Sequence, residues 1–134
     1  MHVRTQIRKE AGRRLETLGI WVYDSRVDSL SQRELPGIII STPSESREPW
    51  LDKSSTYTVT LIVDIRVASS DETAAQLDFY SMMAEKALSG FPVAAILGRT
   101  DIDIIGAGEV PVGVCSMSYT ITIPGVSQPD DKII

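Results

Sequence analysis

The chain has 134 residues, 43% of them hydrophobic and 23% charged, and a formal net charge of −5. That length suits one globular domain and is short for two, and no apolar run approaches the roughly 18–20 residues of a membrane span. The single cysteine, Cys115, excludes an internal disulfide and a cysteine-only metal site, and two Phe with two Trp are few for a surface that stacks single-stranded nucleic acid.

The N-terminus turns charged and helical at once, with no apolar signal core, which predicts a chain that stays in the cytosol. Val3, Ile7, Ala11, Leu15 and Leu18 recur at three- and four-residue steps, so a helix over Val3–Leu18 is expected, ended by Gly19 in a left-handed cap. This helix is basic. Arg4, Arg8, Lys9, Arg13 and Arg14 against Glu10 give +4 in the first fourteen residues, leaving −9 for the other 120. Such asymmetry marks a nucleic-acid contact, a seam where one subunit's base meets another's acid, or simply a solvated helix face, with Arg4, Arg8 and Arg13 as interface candidates. The acidic remainder argues against DNA binding by the whole domain.

Ile20–Tyr23 reads as a short strand broken at Asp24-Ser25, with Arg26-Val27 beyond the turn and a polar loop over Asp28–Glu34. Pro36-Gly37 then leads into Ile38-Ile39-Ile40, a β-branched run suited to a strand buried on both faces. Ser41–Ser55, rich in Ser, Pro and charge, is expected as a long loop, with Ser44–Ser55 mobile until a neighbour orders it. Within it Trp50-Leu51 is either a lid folded over the chain's own core or an anchor for another chain, with Arg47 accompanying it.

Tyr57–Ala68 alternates an apolar face (Tyr57, Val59, Leu61, Val63, Ile65, Val67) with a face of Thr56, Thr58, Thr60, Ile62, Asp64 and Arg66. Ser69 and Glu72 have capping-box spacing ahead of a helix over Glu72–Ser89. The inward face of that helix is read as Ala74, Leu77, Tyr80, Ala84, Ala87 and Leu88, with Phe79, Met82 and Met83 leaving apolar surface for a partner. Val93–Leu97 is apolar without a decisive period, Thr100–Ile105 reads as a strand, and Gly106-Ala107-Gly108 as a turn or bulge. Cys115–Ile123 repeats the split design, with Ser116, Ser118, Thr120 and Thr122 opposite an apolar face that holds an inert Cys115. The residues after Pro124 are expected to be a loose tail, leaving 1–124 as the domain and 125–134 outside it.

The order α-β-β-β-α-β-β predicts an α+β fold, a mixed or antiparallel sheet of about five strands with two helices packed on one face. Its free edges need a guard, and pairing with another subunit is one. No catalytic constellation accompanies it. His2 is the only histidine and sits at the terminus, so no nucleophile has a base, and no set of zinc ligands is available. Asp101 and Asp103 share a strand face and read as a charged edge rather than a weak cation site. The residues themselves thus point to a structural or binding module, with no cofactor, rather than to an enzyme.

In segment order the chain resembles the tail terminator proteins of long-tailed bacteriophages, the lambda-like minor tail protein family. The local matches are Tyr23-Asp24-Ser25-Arg26, where relatives carry an aromatic–Asp–Gly–Arg turn, Glu34-Leu35-Pro36 leading into Ile38–Ile40, the acid-rich helix start at Asp71-Glu72, and the final strand ending Tyr119-Thr120-Ile121-Thr122. The resemblance spans about residues 1–124. It implies a virion protein at the head-proximal end of the tail, assembled in the host cytoplasm, whose homo-hexameric ring caps the tail tube, stops its polymerisation and offers a surface to the head–tail connector. DNA passes through the lumen of such a ring without specific recognition. A head-side neck or tail-completion protein is the nearest alternative, and a small-ligand regulatory module is the alternative from another class.

Overall fold

The computed structural model describes residues 1–26, 28–106 and 111–134. Helix α1 covers Val3–Leu15 and tightens into a 3-10 turn over Glu16–Leu18. Gly19 ends it in the left-handed region at φ +76°. Val3, Ile7, Ala11 and Leu15 are fully buried, as the three- and four-residue spacing requires. Strand β1 (Trp21–Asp24) runs parallel to β2 (Gly37–Pro49), β3 is Ser55–Ala68, α2 is Thr73–Leu88, β4 is Ala94–Ile105 and β5 is Val112–Val126. The sheet has five strands in the order β1-β2-β3-β5-β4, and all pairs but β1–β2 are antiparallel. The expected α+β architecture and element order are those of the molecule.

Both helices cover one face of the sheet, where α1 lies over β1 to β3 and α2 over β3 and β5. On that face the alternation of β3 and β5 holds without exception from Tyr57 to Val67 and from Cys115 to Ile123. The opposite, open face carries Thr56, Thr58, Thr60, Asp64, Ser116, Ser118 and Thr122, all half-exposed. One lateral row on the helix side reads Val22, Ile38, Ile65, Cys115, Ile102 across the five strands. Its middle three residues have at most 0% exposure, yet Ile102 at the end is 58% exposed, because the helix layer stops short of β4. Burial pushes the Cys115 thiol above its usual range, which keeps it inert.

The Ile38–Ile40 run is buried on both faces as its composition predicts. Ile38 and Ile40 pair beside Ile65 and Val63 under the helices, whereas Ile39 faces the open side beside Asp64. The crossover between β1 and β2 covers that side, placing Leu30 over Gly37. The crossover is held by Arg26, whose guanidinium donates to both oxygens of Glu34 and stacks 4.9 Å above the Tyr23 ring. Ser31 and Glu34 form the capping box of a 3-10 turn over Gln32–Glu34.

The Arg26 guanidinium, with the amide and hydroxyl of Ser31, lowers the Glu34 carboxyl from 4.5 to about 2. A carboxylate whose pKa is depressed by folding contributes stability above its unfolded pKa and loses that contribution as pH falls through the folded one. We therefore expect a component of acid destabilisation between pH 4.5 and about 2 that Glu34→Gln removes. Urea midpoints followed across that window in both chains check it, and parallel curves would refute it.

Four expectations are corrected. Ser41–Ser55 is no mobile loop: β2 continues to Pro49, and a ladder from Ser44↔Thr60 to Pro49↔Ser55 turns it into a hairpin after a bulge between Ser41 and Ser44. Backbone pairing makes this strand although both its faces are polar. Ser69 does not cap α2. Ser70 and Thr73 close that turn instead, with the Ser70 amide donating to Thr73 Oγ1 at 2.6 Å. Ala74 faces solvent, and Thr73 takes the buried place in the first turn. The residues after Pro124 are fastened rather than loose: Val126 pairs with Ser55, the Val3 amide donates to the Pro129 carbonyl at 2.8 Å, and Gln6 binds the Asp131 carbonyl and the Ile133 amide. The turn expected at Gly106-Ala107-Gly108 lies largely outside the described residues, as does Val27 beyond the Asp24-Ser25 break.

Candidate functional site

The helix cations are set by α1, which aims successive turns at β2 and β1. Arg4 Nε lies 2.8 Å from Glu45 Oε1, an ion pair whose angles miss hydrogen-bond geometry. Arg47, from the same strand as Glu45, reaches the other carboxylate oxygen at 2.6 Å and lays its guanidinium 4.5 Å from the Tyr57 ring centre. His2 Nε2 completes the cluster 3.8 Å from Glu45. His2 caps α1 by accepting the Arg4 amide on Nδ1 at 3.0 Å. Desolvation, and then the neighbouring Arg4, lower its pKa and favour the neutral ring.

One turn on, Arg8 donates to Asp24 at 2.7 Å and to Thr42 Oγ1 at 2.5 Å, tying α1 to β1 and β2. Arg13 stands apart on the outer side of the helix, 67% exposed and bound to Glu10. Most of the basic charge that the sequence offers to a neighbour is thus met within the chain, by Glu45, Asp24 and Glu10. The Arg13 guanidinium, and next Arg14, set the Glu10 carboxyl below its ordinary range against the upward push of its partial burial.

Arg14 has a role that the charge count alone does not reveal. Its guanidinium donates to the Ser89 and Gly90 carbonyls at 3.1 Å each and lies over Phe91, so it satisfies orphan carbonyls at the end of α2. The sequence signal available was the Glu10–Arg14 spacing, which orients that side chain.

Trp50 and Leu51 occupy the tip of the β2–β3 hairpin. The turn is closed by Trp50 N–H donating to the Ser54 carbonyl at 2.9 Å, and Asp52 accepts from the Ser54 amide and hydroxyl. Trp50 is 59% exposed and Leu51 fully so. The indole N–H donates to Thr56 Oγ1 at 2.8 Å, which fixes the ring on the outside of the hairpin rather than over the core. The lid reading therefore fails, and a pre-ordered apolar tip remains. Arg47, Trp50 and Leu51 share this hairpin, Arg4 joins it through Glu45, Arg8 is linked through Thr42, and Arg13 is not part of the group.

Two further apolar surfaces are present. Edge strand β4 exposes Ile96, Ile102, Ile104 and Ile105, and α2 exposes Phe79 and Met82. A cleft of about 520 Å³ opens at the other end of the sheet from the hairpin tip, lined by Gly19, Ile20, Trp21, Leu35, Pro36 and Tyr80. Asp101 and Asp103 lie on the exposed edge strand, with Arg99 2.8 Å from Asp101. Among the described residues no three His, Cys, Asp or Glu side chains gather as metal ligands, and no helix is long and apolar enough to cross a membrane. One phenol, Tyr119, is buried without a partner, and desolvation pushes it up to about 12.

No known protein-family model matches the chain, and no curated protein sequence matches it at significant similarity.

Proposed function

We propose that the chain is a structural assembly subunit of a phage tail, a terminator whose ring of six copies caps the tail tube, ends its polymerisation and presents a docking surface to the head connector. The observation that carries this reading is the β2–β3 hairpin, a rigid projection on a sheet-and-two-helix body with Trp50 and Leu51 held outward at its tip. A fixed aromatic tip loses little conformational freedom on docking, the property of an interface anchor. Ser25 adds support. It takes φ +56° at the turn where the resembling family carries glycine, and glycine adopts that conformation without strain.

Mass measurement in solution with negative-stain imaging, repeated after adding purified tail tubes, tests the reading. Six-membered rings with a central hole, or rings seated on tube ends, are the expected result. A chain that stays monomeric with tubes present would overturn it. In the same assay Trp50→Ala is expected to lower tube-end binding by at least about thirtyfold, the effect of a 2 kcal/mol hot spot. Its unfolding free energy should change by no more than about 1 kcal/mol, since an exposed ring and one surface hydrogen bond are lost. Loss of folding in that variant would count against the anchor.

A further inference from the structure

Besides the outer side of the four-residue β1, two strand edges of the described sheet have no partner. β4 is twelve residues long and pairs only with β5. β2 is covered by β1 from Gly37 to Ile40 alone, so Ser41–Pro49 presents a second free edge. Unpaired backbone donors and acceptors along an edge are a template for another strand. β4 has neither lysine nor proline and exposes four isoleucines; its charges, Arg99, Asp101 and Asp103, all lie on one face.

We propose that β4 of one copy pairs antiparallel with the free stretch of β2 of the next, with Arg99 opposite Glu48, Asp101 opposite Ser46 and Asp103 opposite Ser44. This rests on the ring reading above and specifies its subunit contact. The directions agree: β2 and β5 run one way and β3 and β4 the other, so copies related by rotation about a ring axis to which the strands are tilted, as in a barrel, bring β4 against β2 antiparallel with the stagger that this register requires. That contact joins two different patches, the kind that forms a ring when its rotation closes.

The register follows from faces and charge. On the open face β4 carries Arg99, Asp101 and Asp103, beside Ser118, Ser116 and Val114 of β5. On the same face β2 carries Ser44, Ser46 and Glu48, beside Thr60, Thr58 and Thr56 of β3. In the proposed register a cation meets an anion and two hydroxyls meet two carboxylates. The ladder also ends at natural breaks, with the Gly98 bulge opposite Pro49 and the Ser41–Ser44 bulge, which contains Pro43, opposite Ile104. A shift of two residues one way sets Asp101 against Glu48, and like charges directly opposite are destabilising. The opposite shift leaves Glu48 facing Leu97 across the bulge. Pairing β4 with itself is worse: a two-fold centred on residue 101, 102 or 103 opposes Asp101 or Asp103 to an acid, and one centred on Thr100 sets Ile102 against the Gly98 bulge.

Arg99 exchanges its Asp101 contact for Glu48 at little cost, because the existing pair is exposed. The pairing also accounts for the uncovered end of the helix layer. Ile102 falls opposite Glu45, and the Glu45 carboxylate lies against Arg4 and His2 of α1. The neighbour's α1 therefore comes over the row that α2 leaves bare.

A chain carrying both Ser46→Cys and Asp101→Cys tests this under mild oxidation. Both sites are exposed, and the native Cys115 is buried. The expected result is a ladder of disulfide-linked multimers that reductant collapses, with an equimolar mixture of the two single variants giving dimers alone. Circular dichroism of the reduced double variant verifies its fold. Two outcomes overturn the pairing: a disulfide dimer of the Asp101→Cys variant by itself, which requires β4 against β4, or no ladder under conditions where the chain is hexameric by mass. In the second case the ring survives and the contact does not. A ladder from rings that ignore tail tubes supports the pairing and removes the terminator reading. Glu48→Arg should weaken assembly on the order of fivefold and Arg99→Glu in the same chain should restore it, matching an opposite-charge cross-strand pair. A double variant as weak as the single one would also overturn the pairing.

Discussion

Replacing Ile65 by alanine is expected to cost about 2–5 kcal/mol, the range for removing a buried branched side chain from a packed core. Ile65 is fully buried at the centre of the five-residue row, paired with Ile38 on one side and Cys115 on the other. Neighbours on two strands and a helix layer above leave the site little freedom to collapse, which places the value in the upper half of that range. A loss of that size is a large fraction of the 5–15 kcal/mol available to a typical domain, so the variant should unfold at a much lower urea midpoint with an unchanged slope. Ile102→Ala, at the exposed end of the same row, should cost well under half as much. Equal losses at the two positions would refute the account of a helix layer that stops before β4.

Gly37→Ala should destabilise by about 1–3 kcal/mol through overpacking, although only one methyl group is added. A Cβ at this position would stand 2.5 Å from the Glu34 carbonyl oxygen and 2.8 Å from Leu30 Cδ1. The first obstacle is backbone, so relief requires the crossover to lift, taking the capping box and the Arg26–Glu34 pair with it. Faster hydrogen exchange over Ser31–Leu35 in the variant would show this lifting. Gly12→Ala is the contrast: its Cβ would meet only Ile40 Cδ1 at 3.5 Å, an ordinary contact within a helix. There alanine should stabilise by about 0.5–1 kcal/mol, since glycine is the poorer helix former. Chemical denaturation of the two variants side by side checks both signs.

The parts of the fold visible in the sequence are those where one face meets water and the other meets core. Tyr57–Val67 and Cys115–Ile123 show their period because burial acts on alternate residues. Ser44–Pro49 shows none, because neither of its faces enters the core and only the ladder with β3 makes it a strand. β4 was divided in the pattern because the bulge between Leu97 and Arg99 shifts the alternation by one residue. The fastening of the C-terminal residues depends on Gln6, a polar side chain whose partners lie 125 and 127 positions away, beyond the reach of any local rule. At the candidate site the residue types Arg47, Trp50 and Leu51 were legible as an oddity in a polar stretch. Their common hairpin, and the internal partners of Arg4 and Arg8, depend on tertiary placement.

The β2–β3 hairpin also sets an order of events for the folding chain. The turn of residues 50–54 closes a ladder that extends from Pro49↔Ser55 to Gly37↔Arg66, so its first pairs form at small loop entropy. β5 can join β3 only after α2 and β4 have been spanned, a far larger closure. The apolar tip is therefore established early and lies next to the most local contacts of the molecule. A growing population of partly folded chains would then already display Trp50, and self-association during folding would involve the same residues that the proposed docking uses.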